Sequence, residues 1–178
     1  GQITDPGFKN TANPHEQPGG SDETFTYTVN WGDGTQDTGD ATVDTVGSPG
    51  SLTFASFDAS HTWADNGTYT VTVTVQDDDG GTAVRTFTVT VTNVDPTLTV
   101  TTNKTVNEGA TLSVTDIGTF TDPGFDNPLN AGEKEETFTY SINWGDGTAA
   151  DTGTATRDVI GSPGVLTRGS LDGSHIYA

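Results

Sequence analysis

The stretch Thr24–Thr35, TFTYTVNWGDGT, returns 113 positions later as Thr137–Thr148, TFTYSINWGDGT. Other matches keep nearly the same offset. GQITDPGF (Gly1–Phe8) matches GTFTDPGF (Gly118–Phe125), and DTGDAT (Asp37–Thr42) matches DTGTAT (Asp151–Thr156). VGSPG (Val46–Gly50) matches IGSPG (Ile160–Gly164), and SHTWA (Ser60–Ala64) matches SHIYA (Ser174–Ala178). A chain built on one repeated unit must solve the same packing problem twice, and a period of roughly 110 residues is the size of one β-sandwich domain.

Within each copy the apolar residues alternate with Thr, as in TFTYTVNW, TYTVTVTV and TFTVTVTN. Period-two alternation marks strands with one buried face, and the β-branched Thr and Val agree with it locally. No stretch has helical periodicity, so the expected fold class is all-β: tandem antiparallel β-sandwiches, each incomplete within this chain. The low hydrophobic content of 30 % with a net charge of −19 would otherwise suit disorder. The alternation excludes it.

The expected strands are A near Thr97–Thr102, B near Ala110–Thr115, C over Thr137–Trp144, two shorter ones around Thr154–Asp158 and Val165–Leu171, F over Thr68–Val75 and G over Ala83–Thr92. Asp-Gly in each WGDG supplies the positive φ of a tight turn. Residues 1–92 form the first repeat, 93–97 a Pro-containing linker and 98–178 the second. The first copy has nothing like 98–117, and the second has nothing like DNGTYTVTVTVQDDDGGTAVRTFTVTVTN. The stretch from about Asp37 to Ser60, with its repeated GSPG, reads as an insertion.

The two elements Trp31-Gly32-Asp33-Gly34 and His61-Thr62-Trp63, with Gly67-Thr68-Tyr69-Thr70-Val71, resemble the PKD domain. The second copy matches through Trp144-Gly145-Asp146-Gly147 and His175-Ile176-Tyr177. The NVDP linker and Val106-Asn107-Glu108-Gly109 resemble cadherin-like and other bacterial Ig-like repeats. The resemblance implies Ig-like sandwiches of a large secreted surface protein, with Trp31, Trp144, Trp63, Tyr69 and Phe87 in their cores. It also implies a structural His at positions 61 and 175.

Composition narrows the function. Six Lys and Arg against 25 Asp and Glu argue against nucleic acid, which needs clustered cations. No run is long enough to cross a membrane, and no signal-peptide pattern is read in these residues, as expected of a mature secreted segment and equally of a cytosolic domain. The absence of Cys removes disulfides, thiolate metal sites and Cys nucleophiles. There is no nucleophile elbow and no H-E-x-x-H, so the expectation is no enzyme. Carboxylate pairs arise by chance among 25 acids and carry no weight as glycosidase signals.

Calcium is the sharper expectation, because hard oxygens from loops that converge at a sandwich pole suit it. The candidate ligands are Asp5 and Asp122 of the DPGF elements, Asp77 and Asp79 of the F–G loop, and Asn93 and Asp95 of the linker. Glu108 of the A–B turn is a further candidate, at the opposite pole. The bland alternative is that these acids cap turns. Asn66-Gly67-Thr68 and Asn103-Lys104-Thr105 fit the glycosylation pattern, so glycans are possible partners.

The expected function is a segment of an extracellular or cell-surface filament, stalk or adhesin. Its partners would be copies of itself or adjoining repeats, head to tail. The alternative is an accessory binding module of a secreted polysaccharide- or protein-degrading enzyme.

Overall fold

The computed structural model describes residues 1–9 and 22–178. Every regular element among them is a β-strand and every pairing is antiparallel. The chain divides into two compact units, Gly1–His61 with Gly67–Thr90, and Thr62–Asn66 with Val91–Ala178.

The first unit is a sandwich of two sheets. One holds β1 (Gln2–Asp5), β5 (Thr53–Ser56) and β4 (Thr42–Thr45) in the order β1-β5-β4. The other holds β3 (Gln36–Asp40), β2 (Phe25–Asn30), β6 (Gly67–Asp77) and β7 (Thr82–Val91) in the order β3-β2-β6-β7. The alternation read from the sequence points Phe25, Val29, Tyr69 and Val71 inward, and all are buried. Thr at the intervening positions faces water, as its β-branched but polar side chain permits.

The second unit repeats part of this plan. β12 (Thr156–Val159), β13 (Thr167–Ile176), β9 (Thr111–Asp122) and β8 (Thr97–Val100) form one sheet in that order, and β10 (Thr139–Ile142) pairs with β11 (Asp151–Thr154). By sequence equivalence β10, β11, β12 and β13 correspond to β2, β3, β4 and β5, and the second half of β9 corresponds to β1. β8 and the first half of β9 have no described counterpart in the first unit. β6 and β7 have none in the second.

The stretch expected as an insertion is structured. Residues 37–60 supply most of β3 together with β4 and β5, and their counterparts β11, β12 and β13 do the same. Alternation misses β3 and β11 because their inner position is glycine, not an apolar residue. Gly39 opposes Tyr27 and Gly153 opposes Tyr140 across the strand pair. A β-carbon there would stand 2.9 Å from the Tyr27 hydroxyl or 2.8 Å from that of Tyr140. The repeated D-T-G is therefore a seat for a tyrosine ring.

DPGF and GSPG are joined by one buried threonine in each copy. Thr53 is 0 % exposed and Thr167 1 %. The Thr53 hydroxyl donates to the Gly7 carbonyl at 2.6 Å and accepts from the Gly47 amide at 2.9 Å. Thr167 does the same with Gly124 at 2.6 Å and Gly161 at 3.0 Å. Each GSPG closes on itself, Ser48 with Ser51 and Ser162 with Val165, with Gly50 and Gly164 at φ +85° and +80°. This Pro-then-Gly order is that of a type II turn.

Three expectations about the core differ in the structure, and one of them is Trp63, which is only half-buried. Phe87 is 52 % exposed, on β7 at the edge of its sheet. Trp144 is only half-buried where Trp31 is 6 % exposed; no described strand of the second unit corresponds to β6.

Replacing Thr53 with Val keeps the shape but leaves the part-buried Gly7 carbonyl and Gly47 amide without the hydroxyl they share. The expected loss is about 1–3 kcal/mol in urea unfolding of the first unit, with Thr167→Val giving a matching loss in the second. A change within error for both would show that these bonds hold nothing.

Candidate functional site

Two constellations recur at equivalent positions in the two units. The first surrounds WGDGT. Asp33 is 2 % exposed. Its carboxylate accepts from the Thr35 hydroxyl at 2.6 Å, the Thr35 amide at 3.0 Å and His61 Nε2 at 2.8 Å. The His61 ring stacks on Trp31 at 5.0 Å and 12°, and the Trp31 indole N–H donates to Asp37 at 3.1 Å. In the second unit Asp146 takes the Thr148 hydroxyl at 2.7 Å, its amide at 3.1 Å and His175 Nε2 at 2.8 Å. His175 stacks on Trp144 at 5.0 Å and 10°, and the Trp144 indole donates to Asp151 at 2.8 Å.

Burial alone would raise the Asp33 carboxyl. The hydrogen bonds from Thr35 and His61 outweigh it and hold the group below its usual range. The same bonds, first that from the Thr148 hydroxyl and then that from His175, hold Asp146 well below it. Chemically this is a clasp. The Thr35 hydroxyl donates to the carboxylate and also lies 3.4 Å from His61 Nε2. The clasp ties the turn after β2 to the chain after β5, and the one after β10 to β13.

The second constellation is acidic. Asp5 ends β1 and its Oδ1 accepts the Gly7 amide at 2.5 Å; Asp122 ends β9 and accepts the Gly124 amide at 2.7 Å. Beside each stands a glutamate, Glu23 or Glu136, immediately before the repeated TFTY. A β-carbon on Gly7 would collide with the Glu23 carboxylate and lie 2.7 Å from Asp5 Oδ1. On Gly124 it would lie 2.6 Å from Glu136 Oε1 and 2.9 Å from Asp122 Oδ1. Partial burial, then the charges of Asp78, Asp5, Asp77 and Asp79, push the Glu23 carboxyl up to about 7. Partial burial, then Asp65, Asp122, Glu133 and Asp126, push Glu136 up to about 7.

The seven expected calcium ligands fall into separate places. Asp5, Asp77 and Asp79 share one end of the first unit, where they act together on Glu23. Asp77 already binds the Gly81 amide at 2.6 Å across the β6–β7 turn. Asn93 and Asp122 line one cleft of about 350 Å³ in the second unit, with Asp65 and Glu136. Asp95 is exposed and accepts from Asn93 at 3.4 Å. Glu108 is exposed beside Gly109, whose amide donates to the Tyr177 carbonyl at 2.8 Å. Among the described residues no group of three or more His, Cys, Asp or Glu is arranged to hold a metal ion. Asn66 and Asn103 are both exposed.

Glu23 and Glu136 were not singled out from the sequence. Their shared E-T-F-T-Y context was the signal available.

No protein-family profile, curated protein or solved structure matches this chain.

A carboxyl that titrates near 7 when folded and at its usual 4.5 when unfolded adds stability below pH 4.5. That contribution is lost as pH rises through 7. Melting temperature is therefore expected to fall between pH 5 and pH 8 in a metal-free buffer, and Glu23→Gln with Glu136→Gln to flatten the slope. An unchanged slope in the double variant would show that these carboxyls do not govern it.

Proposed function

We propose that this chain is a structural, non-catalytic segment of an extracellular filament, stalk or adhesin. It is built from tandem PKD-like, Ig-like sandwich repeats whose strands are shared or continued head to tail. The observation that carries the reading is the recurrence of one β unit within the chain, with its Asp–Thr–His clasp and its buried threonine at equivalent positions. Repeated units of this kind stack into extended, linear objects rather than closed ones. The strongly acidic surface keeps such an assembly soluble.

The repeated clasp supports a load-bearing or spacing role over a chemical one, because its histidine and threonine are spent on the turn carboxylate. Exposed Asn66 and Asn103 leave room for glycans. The test is sedimentation and dye binding of the 178-residue chain. Concentration-dependent association with exposed apolar surface is expected. A compact monomer that binds no dye would overturn the reading.

Calcium at the Asp5–Glu23 and Asp122–Glu136 pairs is a second element of the proposal, supported by carboxyls crowded enough to retain protons near neutral pH. A divalent cation would replace those protons, with water completing its shell of six to eight oxygens. Millimolar Ca²⁺ is then expected to raise the melting temperature at pH 8 and EDTA to reverse it. Coincident melts would remove calcium from the account.

A further inference from the structure

Along β2 and β6, Thr faces water and Val, Phe and Tyr face in. The order reverses at the turn of the β4–β5 hairpin and of its counterpart β12–β13. Leu52 and Phe54 are exposed and Thr53 between them is buried; Leu166 and Arg168 are exposed and Thr167 between them is buried. The hydrogen bonds of the threonine cause the reversal. Its hydroxyl holds Gly7 and Gly47 in one unit, Gly124 and Gly161 in the other, and strand alternation then turns both of its neighbours outward.

Val46, on the other arm of the first hairpin, is 58 % exposed, with Leu52 at 45 % and Phe54 at 46 %. The second hairpin carries Val159, Ile160, Val165 and Leu166, each at 40 % or more. A β-carbon on Gly50 or Gly164 would meet nothing within 4 Å, so each turn stands out from its unit. The strands that flank a unit do not decide this exposure. The first unit has β6 and β7, the second has β8 and the full β9, and the hairpin is open in both. Single exposed apolar residues are ordinary, but three or four on one turn, in both copies, form a surface.

Charge selects the occupant. With 25 acids against six Lys and Arg, two copies of this chain repel one another over most of their surface. Thr45–Phe57 is 13 residues without a charge, the longest such run in the chain, and Val159–Thr167 carries none either. The nearby sheet edges are closed to another strand, since β3 carries Asp37 and Asp40, and β4 carries Asp44 beside a bulge. A basic partner would settle on the acids and leave these turns open. A partner as acidic as this chain can approach only there.

We propose that the GSPG hairpin of each unit is a contact surface for the same hairpin of a second copy of this chain, apolar tip against apolar tip. Contact of this kind joins chains side by side and does not require the head-to-tail continuation of the filament reading. One tip is small and binds weakly, while two on the same chain act together. The ties made by Thr53 and Thr167 set the shape of the tip before contact, so little ordering is left to oppose it.

Sedimentation velocity of the full chain, in NaCl raised from about 0.05 M to about 1 M, tests this. Association is expected to strengthen with salt, because screening removes the repulsion and spares the apolar contact. The variant with Val46→Ser, Leu52→Ser, Ile160→Ser and Leu166→Ser is expected to associate roughly tenfold more weakly or less. Its melting temperature should stay unchanged, because these side chains already lie in water. Leu52→Ser with Leu166→Ser is expected to give part of the loss. Leu129→Ser, at a leucine 63 % exposed elsewhere in the second unit, is expected to change nothing. The proposal is overturned by a monomer at every salt concentration, by equal weakening in Leu129→Ser, or by parent chain that binds phosphatidylcholine vesicles in place of its own copies. Undiminished association of the serine variants also overturns it, and leaves the filament reading standing.

Discussion

A β-strand exists only beside another strand, because its amides and carbonyls need partners once they leave water. That requirement decides where strands end in this protein more than side-chain pattern does. β13 is ten residues long and β5 is four, although both come from the same repeat. Sheet extent here reports which neighbours are present, and so does the core. Phe87 lies open at 52 % exposure, and Leu98 and Val100 at 60 % and 67 %. The first belongs to a strand without a counterpart in the second unit, the other two to a strand without a counterpart in the first.

What keeps each unit organised without a full set of strands is a group of short-range polar ties. The aspartate of WGDGT gathers a threonine and a histidine, and the histidine lies on the tryptophan. A buried threonine joins DPGF to GSPG. Among the described residues no buried side-chain polar atom lacks a partner, as a folded interior requires. Where the repeats differ, the ties shift without disappearing. Lys9 pairs with Asp22 in the first unit. In the second, Arg157 on β12 reaches Asp126 at 2.5 Å and Glu135 at 3.8 Å, holding the equivalent loop from another element.

Much of this was legible in the sequence. Alternation located β2, β6, β7 and β10, and the offset between copies exposed the unfinished frame. The stretch 37–60 was legible mainly through its second copy, where short strands were expected around Thr154–Asp158 and Val165–Leu171, because Gly39 and Thr53 stand where alternation expects an apolar residue. One admits a tyrosine ring and the other replaces apolar burial with two hydrogen bonds. The acidic site was legible only in part. Asp5 and Asp122 stand out beside Pro-Gly, but pairing each with Glu23 or Glu136 requires knowing that the end of β1 meets the start of β2.

The most direct measurement joins Thr97–Ile117 to Gly1–Asn93 in one chain, so that a single repeat carries every strand in order, and compares its urea unfolding with that of residues 1–93 alone. The expected result is one cooperative transition, more stable by several kcal/mol through the added apolar burial (roughly 25 cal/mol per Å²) and steeper in denaturant because more surface is buried. Equal stability and equal steepness would contradict the proposal that strands shared or continued head to tail complete the sandwich repeats.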